Sequence, residues 1–226
     1  KEVSHSLLSH FLGGRKLLPS DFDQVLESAA GNPLYLREVA QFMAHLTQPN
    51  PPAPWRGREK REGGEVIPPT IERLILAHIV LLPAAHQSLL RYGAVLGSRV
   101  EVRMLQSAFP GMDVMHNLHQ LAQIGWLQPE SGTELNPPLS VQWRHDLYRE
   151  TLYHSIEPNT RRQLHAEIAE QLEAVSETPP DVLAEHYEAA GVAEKSAHYA
   201  CCAARMYEQR WQFRRVEHYT TIAISH

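Results

Sequence analysis

Residues 70–82 read TIERLILAHIVLL, and Ile71, Leu74, Ile75, His78, Ile79 and Leu82 recur at i, i+3, i+4, i+7, i+8 and i+11. That spacing lays them along one stripe of an α-helix and does not fit the two-residue alternation of a half-buried strand. The same period runs through most of the chain, so a mainly α protein is expected. Residues 20–31 (SDFDQVLESAAG) read as a helix with Ser20 as N-cap, Asp21 and Asp23 in the first turn and Gly31 just past the end. Asn32 then caps a second helix reaching about Leu46, with Pro33 at its first position, where a missing N–H costs nothing.

Pro83 breaks the stripe, and AAHQSLLRYGAVLG gives a further helix closed by Gly97. Two shorter helices are expected at 101–109 and 113–124, the second ending at Gly125. Trp126-Leu127-Gln128 and Leu139-Ser140-Val141-Gln142-Trp143 flank the turn-rich PESGTELNPP and read as a β-hairpin. Three helices followed by a hairpin is the winged-helix order. Helices resume at 146–156, 159–175, 181–190, 194–210 and 213–225. In the last two, Ala197, Cys201, Ala204, Tyr207 and Trp211 are expected to share a closely packed face.

EKSAHY (194–199) and RRVEHY (214–219) are weakly similar at a spacing of twenty residues, less than one tetratricopeptide period, which suits the start of a helical-repeat array. With no capping helix after His226, the array is expected to continue in a longer protein. The layout is therefore a helical region over 1–47, a winged-helix domain over 70–157 and a tetratricopeptide-like segment over 158–226. Residues 48–69 (QPNPPAPWRGREKREGGEVIPP), dense in Pro, Gly and charge, read as a flexible linker or long surface loop.

Composition narrows the function classes. With 43% hydrophobic and 21% charged residues in 226, the chain can bury real cores and lacks the signature of a disordered one. No run of about 18 apolar residues offers a membrane span, and residues 1–12 lack the features of a signal peptide. Cys201 and Cys202 are adjacent and cannot staple distant segments, which suits a reducing, cytoplasmic setting. A net charge of −5 and a pI near 6.3 argue against general affinity for nucleic acid or anionic membrane.

Catalytic signatures are absent from the sequence. Gly13-Gly14-Arg15-Lys16 lacks the G-x-x-x-x-G-K-[ST] spacing that lets backbone amides wrap a phosphate. His116 and His119 fall on one helical face, but no further Cys or His stands nearby at ligand spacing, so no metal is expected. The helix in the reading position of the winged helix (113–125) contains no Lys or Arg. Asn117 and Gln120 are formally able to read adenine, yet Asp113 repels the phosphate backbone.

Two segments remain. Gly31-Asn32-Pro33-Leu34-Tyr35-Leu36-Arg37-Glu38 is accounted for by a helix end followed by a helix start, and Trp143-Arg144-His145-Asp146-Leu147-Tyr148-Arg149-Glu150 by a strand that feeds a helix. In this order and at this separation they resemble the C-terminal half of STAND-type signalling ATPases. These AAA-like regulators occur in bacterial multidomain transcription factors and with class III nucleotide cyclase domains. GNPLYLREV resembles their GNP-L-(F/Y)-L-x-E segment, IPPTIERLILAHIVLLP and AVLGSRVEVRML their winged-helix start, WRHDLYRETLYHSI their F-x-H-x-L-x-(R)-E-x-x-Y element, and LAEHYEAAGVAEKSAHY the start of their repeat tail. His145-Asp146-Leu147 is also similar to the M-H-D motif of immune relatives, with Arg144 in place of Met.

The resemblance implies roles. Asn32 and Pro33 would lie at bound nucleotide, the proline against adenine, and His145 would reach the β-phosphate of ADP and hold a resting state. The P-loop core is missing from this chain, so the isolated chain would carry no cofactor, no metal and no catalytic residue, while the parent would hold ATP or ADP with Mg. The expected function is the regulatory part of a nucleotide-dependent switch. Its partners would be the rest of the parent ATPase, an output domain, and a protein bound through the helical repeats, with neither nucleic acid nor membrane among them. The alternatives are a nucleotide-independent interaction scaffold and, more weakly, a DNA-binding winged helix.

Overall fold

A computed structural model describes residues 2–13, 19–46, 70–130, 139–175 and 178–225. The fold is mainly α: among the described residues, twelve helices accompany one three-stranded antiparallel sheet. The linker expected at 48–69 lies outside the described residues. The chain divides into two compact units, 1–87 and 88–226, with the division falling inside one helix.

In the first unit α1 (Glu2–Leu12), α2 (Pro19–Ala29) and α4 (Ile71–Leu81) all pack on α3 (Pro33–Leu46). Helix α2 begins at Pro19, so Ser20 lies within its first turn and is not the N-cap the sequence suggests. Leu8 and Leu12 of α1, Val25 and Ala29 of α2, Tyr35, Leu36, Val39, Ala40 and Phe42 of α3, and Leu74 and Leu81 of α4 form one core. The stripe read from residues 71–82 is thus inside: Leu74 and Ile75 are fully buried, and His78 with them. Thr70 caps α4 by accepting from the Arg73 N–H.

Helix α5 (Ala84–Leu96) leads into the second unit. There follow β1 (Arg99–Glu101), α6 (Val102–Ala108), α7 (Val114–Gln123), β2 (Leu127–Pro129) and β3 (Ser140–Trp143). Strand β3 is central and antiparallel to both neighbours, with Val141 opposite Val100 and Gln142 opposite Gln128. Helix, strand, two helices and two strands in the order β1-β3-β2 is the winged-helix arrangement. The helix expected at 101–109 begins at Val102, because residues 99–101 are taken up as a third strand. An isolated two-stranded hairpin is marginal in water, and the extra strand completes a sheet that can be buried on one face. Gly93 of α5 lets the sheet come close: a Cβ there would stand 3.4 Å from Val100 and 3.5 Å from the Trp143 ring.

The chain then continues through α8 (Asp146–Ser155), α9 (Pro158–Glu173), α10 (Pro180–Ala190), α11 (Ala193–Gln209) and α12 (Phe213–Ser225), within a residue or two of the sequence-derived bounds. The twenty-residue similarity has a structural counterpart. Gly191 and Trp211, twenty residues apart, both adopt the left-handed conformation just past a helix end, with φ of 78° and 57°. The hydrogen bonds repeat with them. Gly191 N–H donates to Glu188 and Val192 N–H to Tyr187, while Trp211 N–H donates to Glu208 and Gln212 N–H to Tyr207. This is the paired bonding of a Schellman helix end, used twice.

Side chains follow the same period. Tyr187 and Tyr199 stack at 5.7 Å and 8°, Tyr207 and Tyr219 at 5.6 Å and 9°. Lys195 lies over the Tyr187 ring and Arg215 over the Tyr207 ring. A carboxylate receives the phenols each time, Glu173 for the first pair and Asp181 with Glu185 for the second. Lys195, Tyr187 and Tyr199 all donate to Glu173 and hold its pKa down at about 2. The buried face of α11 is Ser196, Ala200, Ala203 and Tyr207. That corrects the expected face: Cys201 and Trp211 are exposed, Ala197 and Ala204 only half-buried. Small residues line two adjacent strips of α11, and the inward strip is the one that meets α10 and α12.

Candidate functional site

Asn32 and Pro33 stand where one helix ends and the next begins. Ala30 and Gly31 are both left-handed (φ 45° and 86°), which reverses the chain sharply after α2. The Asn32 N–H donates to the Ala29 carbonyl at 2.7 Å, and its side-chain oxygen accepts from the Leu34 N–H at 2.9 Å. Both Asn32 and Pro33 are exposed, while Tyr35 and Leu36, two and three positions after Pro33, are core. The motif therefore presents its head to the surface and anchors its tail.

The anchor includes a buried carboxyl group. Glu38 is only 1% exposed, and its carboxylate lies 3.3 Å from Nδ1 of His78 on α4, which is equally buried. Arg37 reaches the other carboxylate oxygen at 3.4 Å. Removing one partner of such a pair leaves an uncompensated buried group, so the pair fixes how α3 and α4 meet. No motif marks it. The visible signal is a polar residue at a core position of each of two amphipathic helices.

Arg144 and His145 join β3 to α8, and His145, the residue just before the helix, is extended (φ −141°, ψ 131°). Its side chain does not cap the helix. The ring is half-buried and stands edge-on to Tyr148 at 5.4 Å, and Tyr148 in turn packs against Trp126 at 4.8 Å. Arg144 and Asp146, on either side, are exposed. The Arg144 N–H is tied to the Trp126 carbonyl at 3.1 Å, and the Trp143 indole donates to the Gly97 carbonyl at 3.0 Å. The sheet thus fixes the backbone on one side of His145 and the aromatic pair supports its ring on the other. Asn32 and Pro33 belong to the first unit, His145 to the second.

A second polar cluster joins α8, α9 and α10. Nδ1 of His165 and Nδ1 of His186 lie 3.0 Å apart, and the Tyr153 hydroxyl is 3.0 Å from Nε2 of His165. Two neutral rings satisfy this geometry, one donating and the other accepting. Both pKa values are pushed down to about 4, chiefly by burial, with Arg161 adding to the effect at His165 and His165 at His186.

Among the described residues no three His, Cys, Asp or Glu side chains are grouped to hold a metal ion. His116 and His119 are exposed on α7, and His119 pairs with Gln123 at 3.0 Å. Asp113 caps α7 by accepting from the His116 N–H. Among the described residues no helix is long and apolar enough to cross a membrane.

No family model matches the chain. An uncharacterized protein of Rhizobium meliloti (strain 1021) is 26% identical over 192 residues. That match covers 80% of this chain and 17% of the relative, so the chain spans about a sixth of that protein's length.

Proposed function

We propose that this chain is the regulatory part of a cytoplasmic nucleotide-dependent switch, which relays the ATP or ADP state of a parent protein to an output domain. One observation carries the reading. Asn32 and Pro33, in the first segment that resembles a nucleotide-sensing motif, are exposed at the head of an otherwise core helix, and His145 of the second is partly exposed on a braced backbone, with its Nε2 shielded from solvent. In the parent, Pro33 would pack on adenine, and the His145 imidazole would donate a hydrogen bond to a phosphate oxygen of ADP. The nucleotide and its Mg ion would be gripped by a P-loop core elsewhere in the longer protein. The resemblance also supports a winged helix that acts on protein, because α7 offers no Lys or Arg to a phosphate backbone.

The test is nucleotide retention by the longer protein that contains this chain. Wild type is expected to purify with bound ADP, and His145→Ala to release it faster. A parent that holds no nucleotide would leave the scaffold reading in its place.

A further inference from the structure

We propose that the turn between α11 and α12 is a docking point for a protein partner that presents an apolar residue among carboxylates. The proposal requires no nucleotide and stands apart from the switch reading.

The twenty-residue repeat supplies an internal control. Gly191, Val192 and Ala193 build the first turn, and Trp211, Gln212 and Phe213 build the second with the same hydrogen bonds. Small residues are therefore sufficient for this turn. In its second copy the left-handed position, which glycine adopts freely, is occupied by a tryptophan. A bulky residue in that conformation is uncommon, and such departures gather at functional sites. Neither aromatic is used to build the fold, since Trp211 is 79% and Phe213 64% exposed. Their rings meet edge to face at 6.0 Å.

Arginines bracket the rings. Arg210 precedes Trp211 and Arg214 follows Phe213. Both are exposed, and among the described residues neither is in an ion pair. Arg215 is committed to Tyr207 and Asp181. Tryptophan and arginine are both enriched at the energetic centres of protein interfaces, and a guanidinium matches a carboxylate fork. Exposed Glu208 and Glu217 lie on either side of the same turn and oppose a polyanion such as RNA or an anionic membrane. The complementary surface is an apolar anchor flanked by separate Asp or Glu side chains.

The experiment selects random 12-residue peptides displayed on phage against the full chain. Winning peptides are then titrated by fluorescence anisotropy against wild type, Trp211→Gly and Arg210→Glu/Arg214→Glu. Trp211→Gly keeps the turn that Gly191 already makes, so a circular dichroism melt at or above the wild-type temperature separates lost binding from lost folding. Expected are peptides with at least two acidic residues beside Leu, Ile, Phe or Trp, whose affinity falls about tenfold or more in each variant. Three results would overturn the proposal: no enrichment, enrichment of basic or uncharged peptides, or binding that Trp211→Gly leaves intact. It would also be overturned if Trp211→Gly abolished self-association in sedimentation, or binding to a twelve-nucleotide uridine RNA or to phosphatidylserine vesicles. Those outcomes assign the turn to a second copy, to nucleic acid or to lipid.

Discussion

Three side chains carry the sharpest residue-scale consequences. His145 is half-buried, with its Nε2 shielded and its ring against Tyr148, and His145→Ala should cost about 1 kcal/mol, the centre of the range for single substitutions. Urea unfolding followed by circular dichroism decides this, and collapse of the fold would make the histidine a packing residue. Glu38 is the opposite case. Glu38→Ala removes a buried carboxyl group that both His78 and Arg37 contact, and should cost on the order of 3 kcal/mol in the same measurement. Trp211 sits in a conformation that costs a side-chain-bearing residue about 1–2 kcal/mol. Because glycine gives back part of that in unfolded-chain entropy, Trp211→Gly should raise stability by up to about 1 kcal/mol. A lower melting temperature would show that the indole packs usefully.

At the scale of elements, α4 closes the first core and is not a free-standing helix beside it. Leu74 is fully buried within the cluster formed by α1, α2 and α3. Leu74→Ala should therefore destabilise by about 2–5 kcal/mol, the range set by how far the cavity collapses. A loss below roughly 0.5 kcal/mol in denaturant unfolding would mean that this face is exposed in solution. The helices after the winged helix are held differently. Their interface is built from alanines and serine on α11, which let neighbours approach, and from stacked tyrosines whose phenols end on carboxylates. Apolar area alone would let such helices slide. The fixed period of tyrosine, cation and carboxylate gives each pair one register.

For the molecule as a whole, acidity is the expected weakness. His165 and His186 are neutral in the folded protein with pKa values near 4, whereas an unfolded histidine titrates near 6.5. Between those values the unfolded chain binds more protons, so stability falls as pH drops through that window. The slope approaches about 1.4 kcal/mol per pH unit for each proton taken up only on unfolding. Urea midpoints at pH 7, 6 and 5 should fall in that order, and His186→Asn should flatten the trend. A midpoint that holds or rises toward pH 5 would remove the buried pair as the cause. ATP added to the purified chain should not be hydrolysed, since the sequence has no phosphate loop and no acid placed to hold Mg²⁺. Turnover abolished by a substitution within residues 1–226 would overturn that.

Most helices, the turn at Gly31-Asn32-Pro33 and the ends at Gly97 and Gly125 were legible in the sequence, because apolar period, capping and left-handed glycine act over a few residues. The exposure of Asn32 and Pro33 follows from the same local rules, since a helix head must leave the core to turn. Other features needed the assembled fold. Strand β1 is three residues long and exists because β3 lies beside it. Either of two small-residue strips on α11 satisfied the sequence, and only the arrival of α10 and α12 chose the one through Ala200 and Ala203. Glu38 and His78 are 40 residues apart, His165 and His186 are 21, and no local energy pairs them. Burial raises the cost of leaving each such group alone, so the long-range partner was set by packing and not by the segment that carries it.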